Sequence, residues 1–139
     1  MKTRIHFRYL LLILLVSFIY SSSIAATIFV NANVIGGTND GTSWENAYTD
    51  LQTALSNAVA GDEIWVAAAT YKPTTTTDRD ISFEMKSGVA IFGGFNGTED
   101  LRNERDFTNN VTILSGDIGA AGNSDNSYHV IINDGTNNT

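Results

Sequence analysis

The clearest strand signal in this chain is the apolar run of Gly61-Asp62-Glu63-Ile64-Trp65-Val66-Ala67, which starts at a turn-forming Gly-Asp pair. β-Branched and aromatic residues favour extended backbone, and a short apolar run bounded by turn formers is typical of a buried strand. Similar runs follow at Val89-Ala90-Ile91-Phe92, Thr112-Ile113-Leu114 and Val130-Ile131-Ile132. Measured between their central residues, Val66, Ile91, Ile113 and Ile131, the intervals are 25, 22 and 18 residues.

Repeated intervals near twenty residues are typical of a solenoid, in which each coil adds one strand to a stacked sheet. An antiparallel sandwich, the alternative that the pattern leaves open, would return its strands about every 8 to 12 residues. The sequence offers no second helix for conventional βαβ crossovers. The pattern therefore favours an all-β solenoid with the four apolar runs stacked in one sheet.

One helix is predicted just before the first run, from Asp50 to Val59. Its apolar residues recur at helical spacing and form one stripe: Leu51, Ala54, Leu55 and Ala58. Thr49 or Asp50 can cap the start, and Gly61 lies where a helix usually stops.

The first 25 residues have the order of a secretory signal peptide. Lys2, Arg4 and Arg8 precede an apolar run over residues 9–20, and small or polar residues follow over residues 21–26. A membrane-spanning helix needs roughly 20 apolar residues, and this run reaches only about a dozen. Cleavage fits after Ala25 and nearly as well after Ala26. We therefore expect a secreted or cell-surface protein.

The composition of residues 26–139 excludes several classes of partner. These residues carry five basic and fifteen acidic side chains, a net charge of −10 at pH 7. Such a charge disfavours binding to nucleic acid or to anionic lipid. The chain has no cysteine, so its stability must come from packing and backbone pairing, and acylation of a cysteine as a lipid anchor is excluded.

Ordered motifs around the predicted helix resemble the start of a known superfamily. They are Asp40-Gly41-Thr42-Ser43-Trp44, Ala47-Tyr48-Thr49-Asp50-Leu51-Gln52, Gly61-Asp62-Glu63-Ile64-Trp65-Val66-Ala67 and Thr70-Tyr71-Lys72-Pro73. This succession resembles the N-terminal part of right-handed parallel β-helix proteins of the pectate-lyase-like superfamily. Two later segments, residues 87–99 and 112–118, are similar to secreted or outer-membrane surface proteins with β-helix repeats, polymorphic-outer-membrane-protein-like, that are common in Bacteroidetes. One departure is Ala69, where the family usually has glycine.

The resemblance implies that residues 26–139 are the first three to four coils of a right-handed parallel β-helix, covered by a short capping α-helix, and that the natural protein continues beyond Thr139. A solenoid's first coil exposes an apolar end and strand edges, which need a cover. We assign that structural cap to five residues: Trp44, Tyr48, Leu51, Leu55 and Ala58.

No catalytic constellation is found in the sequence. Enzymes of the superfamily would place converging acids and bases on middle coils, which this chain lacks. We therefore expect a non-enzymatic extracellular or cell-surface protein, an adhesin, passenger or scaffold, whose partner would be an extracellular polysaccharide or another cell-surface ligand. The alternatives are a polysaccharide lyase or glycoside hydrolase with its active site beyond residue 139, and a carbohydrate-binding module.

Three carboxylates are candidates for a calcium site. Asp117 and Asp134 each lie beside a strand, about one coil apart, and Asp125 belongs to the oxygen-rich segment 123–127. This segment lacks the spacing of an EF-hand loop, and capping of turns is the competing interpretation. We expect no other cofactor.

Four further side chains have a functional and a structural interpretation. Trp65 and Tyr71 could stack on sugars but are expected to pack inward. Arg102 and Arg105 are expected to pair locally with the acidic residues around them, in the segment 99–106.

Overall fold

The structure, a computed structural model, describes residues 25–120 and 122–133. The predicted signal peptide, apart from Ala25, and the metal candidate Asp134 lie outside the described residues. Within them no helix is both long and apolar enough to cross a membrane. The elements are β1 (Thr27–Val30), α1 (Leu51–Asn57), β2 (Glu63–Ala67), β3 (Ala69–Tyr71), β4 (Phe83–Glu84), β5 (Ala90–Phe95), a 3₁₀ turn (Arg102–Glu104), β6 (Thr112–Leu114) and β7 (Ile131–Ile132).

The strands form three short sheets, and every strand pair is parallel. The first sheet has the order β1-β2-β5, and the other two are the pairs β3-β6 and β4-β7. In the first sheet Ile64 lies between Ile28 and Ile91. β2, β3 and β4 follow one another along the chain, and β5, β6 and β7 pair with them in the same order, each later strand beside an earlier one in the same sheet.

The prediction of a right-handed parallel β-helix with three to four coils is wrong. The described residues form separate parallel sheets of three, two and two strands, and none of these closes or runs on as a solenoid sheet. The four apolar runs do not stack together: Ile64 of the first run pairs with Ile91, whereas Ile113 pairs with Thr70 and Ile131 with Phe83. The spacing of the apolar runs predicts how often strands recur along the chain. It does not predict which earlier strand each later strand pairs with. The antiparallel alternative is wrong as well.

The predicted helix is present but is two turns long rather than spanning Asp50 to Val59. Asp50 is its N-cap, and the Asp50 carboxylate accepts hydrogen bonds from the backbone N–H groups of Gln52 and Thr53 at 3.1 Å each. The helix ends at Asn57 because Ala58 turns to extended backbone. The Nζ atom of Lys86 then donates to the carbonyl oxygens of Ser56 and Ala58, which satisfies acceptors that a helix end leaves open.

The apolar stripe of α1 packs on the inner faces of the strands. Leu51 and Leu55 are fully buried against residues from β1, β2, β3 and β4: Val30, Ile64, Val66, Tyr71 and Phe83. Four of the five assigned cap residues belong to or contact this core: Tyr48, Leu51, Leu55 and Ala58. The fifth, Trp44, lies elsewhere and contacts Phe29 and Phe95.

The outer edge of β1 is covered by the chain that leads into the helix. The N–H of Phe29 donates to the carbonyl of Gly41, and the carbonyl of Phe29 accepts from the N–H of Tyr48, both at 2.9 Å. Gly41 has a φ of +75°, and a Cβ there would lie 2.6 Å from the Tyr48 ring. Glycine is therefore required where this segment crosses the edge. We call this side of the molecule, formed by residues 41–58, the covered end.

Replacing Leu55 with Asp should destabilise the fold by about 3 kcal/mol or more, because it removes a buried apolar side chain and buries an unpaired charge. The measurement is the free energy of unfolding in urea. Its control is Ser56→Asp, which adds the same charge one residue away at an exposed position and should cost less than about 1 kcal/mol. Equal losses in both variants would contradict burial of the α1 stripe.

Candidate functional site

Among the described residues, the side of the molecule opposite the covered end carries strand edges without a strand partner. Within the described residues β5, β6 and β7 each pair with a strand on one side alone. Residues from all three sheets line a cavity of about 310 Å³ beside these strands. We call this surface the open end. Its lining is Val66, Met85, Ile91, Gly93, Thr112, Leu114 and Ile131.

The open end offers apolar surface and backbone edges. No charged side chain is among the lining residues. The one hydroxyl there, on Thr112, already donates to the carbonyl of Val66 at 3.1 Å and accepts from the N–H of Gly94 at 3.1 Å. Ile131 is 47% exposed in the edge strand β7. A surface of this kind suits the packing of another polypeptide, because unpaired strand edges bind extended chains through backbone hydrogen bonds.

The acidic side chains of the described chain mainly hold turns. Asp62 is 5% exposed, and its two carboxylate oxygens accept from the backbone N–H groups of Ala26, at 2.9 Å, and Val59, at 2.8 Å. Hydrogen bonds from the hydroxyls of Thr38 and Thr42 and from the N–H of Thr42 lower the pKa of Asp40, and hydrogen bonds from Asn109 and Thr108 lower the pKa of Asp106.

Glu99 shows the same role at a buried position. Its carboxylate accepts from the N–H groups of Asn96 at 2.7 Å and of Gly97 and Thr98 at 3.0 Å. Burial is the largest single influence on the pKa of Glu99 and raises it. The hydrogen bonds from the backbone have a larger combined effect and lower the pKa below its ordinary value of 4.5. The turn after β5 is thus built around an ionised carboxylate.

The structure corrects the expectation that Arg102 and Arg105 pair locally. The Nη1 atom of Arg102 lies 2.6 Å from Oε1 of Glu63 on β2. Both guanidinium groups lie over the ring of Phe92, at 4.7 and 5.1 Å from its centroid. The two arginines therefore hold the turn 96–110 against the first sheet.

Two of the three calcium candidates, Asp117 and Asp125, are described, and both lie in the connection between β6 and β7. Asp117 is 3.9 Å from Nζ of Lys72, and Asp125 accepts from the N–H of Ala120 at 2.7 Å. In residues 117–127, four side-chain oxygen atoms are buried without a hydrogen-bond partner: Asp117 Oδ1, Asp125 Oδ1, Asn126 Oδ1 and Ser127 Oγ. In the described part of the chain no three His, Cys, Asp or Glu side chains come together as a metal-binding group. Calcium binding stays a prediction, which a calcium titration of the melting temperature would test.

Trp65 and Tyr71 are buried, so neither can serve as a sugar platform. Trp65 is 7% exposed and stacks on Phe95 with ring centroids 4.8 Å apart, and Tyr71 is 3% exposed. Phe29 and Trp44 complete an aromatic cluster on the outer face of the first sheet, with Phe29 and Trp44 centroids 4.8 Å apart. Sequence reasoning missed this cluster, although the aligned register of Phe29 and Trp65 on neighbouring strands is its signal.

Comparison with protein-family models, with curated proteins and with solved structures finds no match for this chain. The family resemblance of the motifs stays a prediction, and the function has to be argued from the residues of this chain.

Replacing Glu99 with Gln should lower stability at pH 7 by about 1 kcal/mol, since the amide is a weaker acceptor for three backbone N–H groups. A carboxylate with a lowered folded-state pKa contributes stability above its ordinary value of 4.5 and loses that contribution as the pH falls through the folded-state pKa. The difference in melting temperature between wild type and Glu99→Gln should therefore shrink below about pH 4.5.

The exposed Glu45 provides the control for this experiment. Glu45→Gln removes the same charge and should change the melting temperature little at either pH. A Glu99→Gln effect that stays constant between pH 7 and pH 3 would contradict the role of the ionised carboxylate.

Proposed function

We propose that this chain is exported and acts outside the cytoplasm as a non-catalytic scaffold or adhesive protein that makes its contacts through the open end. The observation that carries the proposal is the junction of three strand edges around one uncharged apolar cavity. Export is supported by the charge and apolar pattern of residues 1–26. A non-catalytic role is supported by the use of the buried carboxylates Asp62 and Glu99 as acceptors for backbone N–H groups.

The occupant that we propose for the open end is a second copy of this chain. A polysaccharide is disfavoured there, because the lining presents no aromatic face and no charged group for a sugar. Because the lining carries no charged side chain, two copies can contact each other there without charge repulsion. Salt at physiological concentration screens the repulsion between acidic side chains elsewhere over about 8 Å. Since residues 41–58 cover the other end, pairing through the open end gives a closed dimer rather than a filament.

Association through the open end can be tested with a charge at Ile131. Ile131→Lys puts an ammonium at the rim of the cavity and should weaken dimerisation at least about tenfold, equivalent to 1.4 kcal/mol. The matched control is Ile35→Lys, which makes the same change at a 97% exposed position outside the cavity lining and should leave dimerisation unchanged. Sedimentation velocity over a concentration series measures the dissociation constants.

A wild-type chain that stays monomeric at every soluble concentration would contradict the self-association. So would an equal effect of the two lysine substitutions. Binding of a polysaccharide that Ile131→Lys abolishes would instead favour the carbohydrate-binding alternative.

Export can be tested with the full 139-residue chain in a Gram-negative host. Leu14→Arg places a charge in the centre of the apolar run 9–20 and should keep the chain in the cytoplasm, whereas wild type should appear outside it. Thr3→Arg adds the same charge in the basic segment before the run and should still be exported. Cell fractionation and blotting give the distribution. Equal distributions for Leu14→Arg and wild type would count against export.

The non-catalytic role can be tested on the exported wild-type protein. Incubation with a panel of uronide and neutral polysaccharides should produce neither unsaturated uronides nor new reducing ends. Product formation that survives purification to homogeneity would favour the lyase or hydrolase alternative.

A further inference from the structure

The backbone of Ala26 is fixed by a buried carboxylate, immediately before the first strand. The N–H of Ala26 donates to Oδ1 of Asp62 at 2.9 Å, and the carbonyl of Ala26 accepts from the N–H of Glu63 at 2.9 Å. Asp62 is 5% exposed, while Ala25 and Ala26 are exposed. Both backbone groups of Ala26 are thus hydrogen-bonded to the fold, directly before β1.

The Asp62 carboxylate is held from its other side as well. Its Oδ2 accepts from the N–H of Val59 at 2.8 Å, and the Asp62 N–H donates to the carbonyl of Val59 at 3.0 Å. The position of the carboxylate is therefore set by the turn that joins α1 to β2. Within the described residues the ion pairs are Lys72 with Asp117 and Arg102 with Glu63, so no Lys or Arg side chain balances the charge of Asp62. A buried carboxylate without a cation is costly, and a cation at Ala26 would offset part of that cost.

We propose that the peptide bond between Ala25 and Ala26 is the site of signal-peptide cleavage, and that the new α-ammonium group of Ala26 forms an ion pair with Asp62. The proposal rests on the proposed export. In the step, a signal peptidase hydrolyses the amide with one water molecule. The carbon–nitrogen bond breaks, the water oxygen bonds to the Ala25 carbonyl carbon to give a carboxylate, and the Ala26 nitrogen takes up the protons to become an ammonium.

The geometry favours cleavage after Ala25 over cleavage after Ala26. The sequence alone is compatible with both sites. Cleavage after Ala26 would remove both held backbone groups. Oδ1 of the buried Asp62 would then lose its donor, and the N–H of Glu63 would lose its acceptor. Cleavage after Ala25 keeps both hydrogen bonds and gives the one to Asp62 a cationic donor in addition to its carboxylate acceptor, so that it becomes an ion pair.

The first test is the N-terminal residue of the protein exported by a Gram-negative host, determined by intact mass and terminal sequencing. We expect a chain that begins at Ala26. An exported chain that begins at any other residue overturns the cleavage assignment and leaves export standing. A chain retained whole in the cytoplasm overturns both proposals, so the two failures are distinguishable.

The second test addresses the ion pair in the mature chain. One extra glycine before Ala26 turns its nitrogen back into an amide and moves the ammonium about 3.8 Å along the chain. In the native sequence this extension should lower the melting temperature by about 4 °C or more. In Asp62→Asn, which has no negative charge to pair, the extension should change it little. Asp100→Asn removes an exposed charge elsewhere, and the full effect of the extension should persist in it.

Where Asp62→Asn does not fold, the extension in the native and Asp100→Asn backgrounds carries the test. An unchanged melting temperature on extension of the native sequence overturns the ion pair. An equal drop in the native and Asp62→Asn backgrounds does the same, since it would assign the loss to the added residue rather than to the displaced charge.

Discussion

The parallel pairing of β2 with β1 on one side and β5 on the other holds the described fold together. In the described chain β2 is the strand with a strand partner on both sides, and its residues Ile64 and Val66 are fully buried. The α1 stripe packs on this same face. Because side chains alternate across a strand, the register that buries Ile64 and Val66 inward also sends Trp65 outward into the aromatic cluster. A slip of one residue would therefore exchange the two faces of β2, moving Ile64 and Val66 to the outer face and Trp65 into the core.

Parallel strands need long connections, and in this chain carboxylates stabilise those connections. Asp50 caps the helix, Asp62 fixes the turn into β2, Glu99 organises the turn after β5, and Asp106 holds the turn that follows. Each of these side chains accepts hydrogen bonds from N–H groups that a turn would otherwise leave to water. Part of the acidic composition thus has a structural reason, which the net charge alone could not reveal.

The sequence predicted local structure better than it predicted partners. The helix, its Asp50 cap and the positions of the four apolar runs follow from periodicity and turn chemistry, which act over a few residues. The strand with which each run pairs depends on the path of the connection before it. The spacing of the runs along the sequence contains no information about that path. Ile113 and Ile131 were placed in the sheet of Val66 for this reason. The open end was missed as a site, because it is formed by residues from three sheets that share no motif.

The two ends of the molecule differ: backbone groups of residues 41 and 48 cover the edge of β1 at one end, whereas β5, β6 and β7 each have a strand partner on one side alone at the other. Ala26 hydrogen-bonds Asp62 and directly precedes β1. Residues 41 and 48 cover the outer edge of that strand. The open end is formed by β5, β6 and β7, on the far side of β2. Under the cleavage proposal, the new charge at Ala26 would pair with Asp62, and neither residue lines the cavity of the open end. The proposed processing and the proposed association therefore involve separate residues, and neither needs the other to occur first.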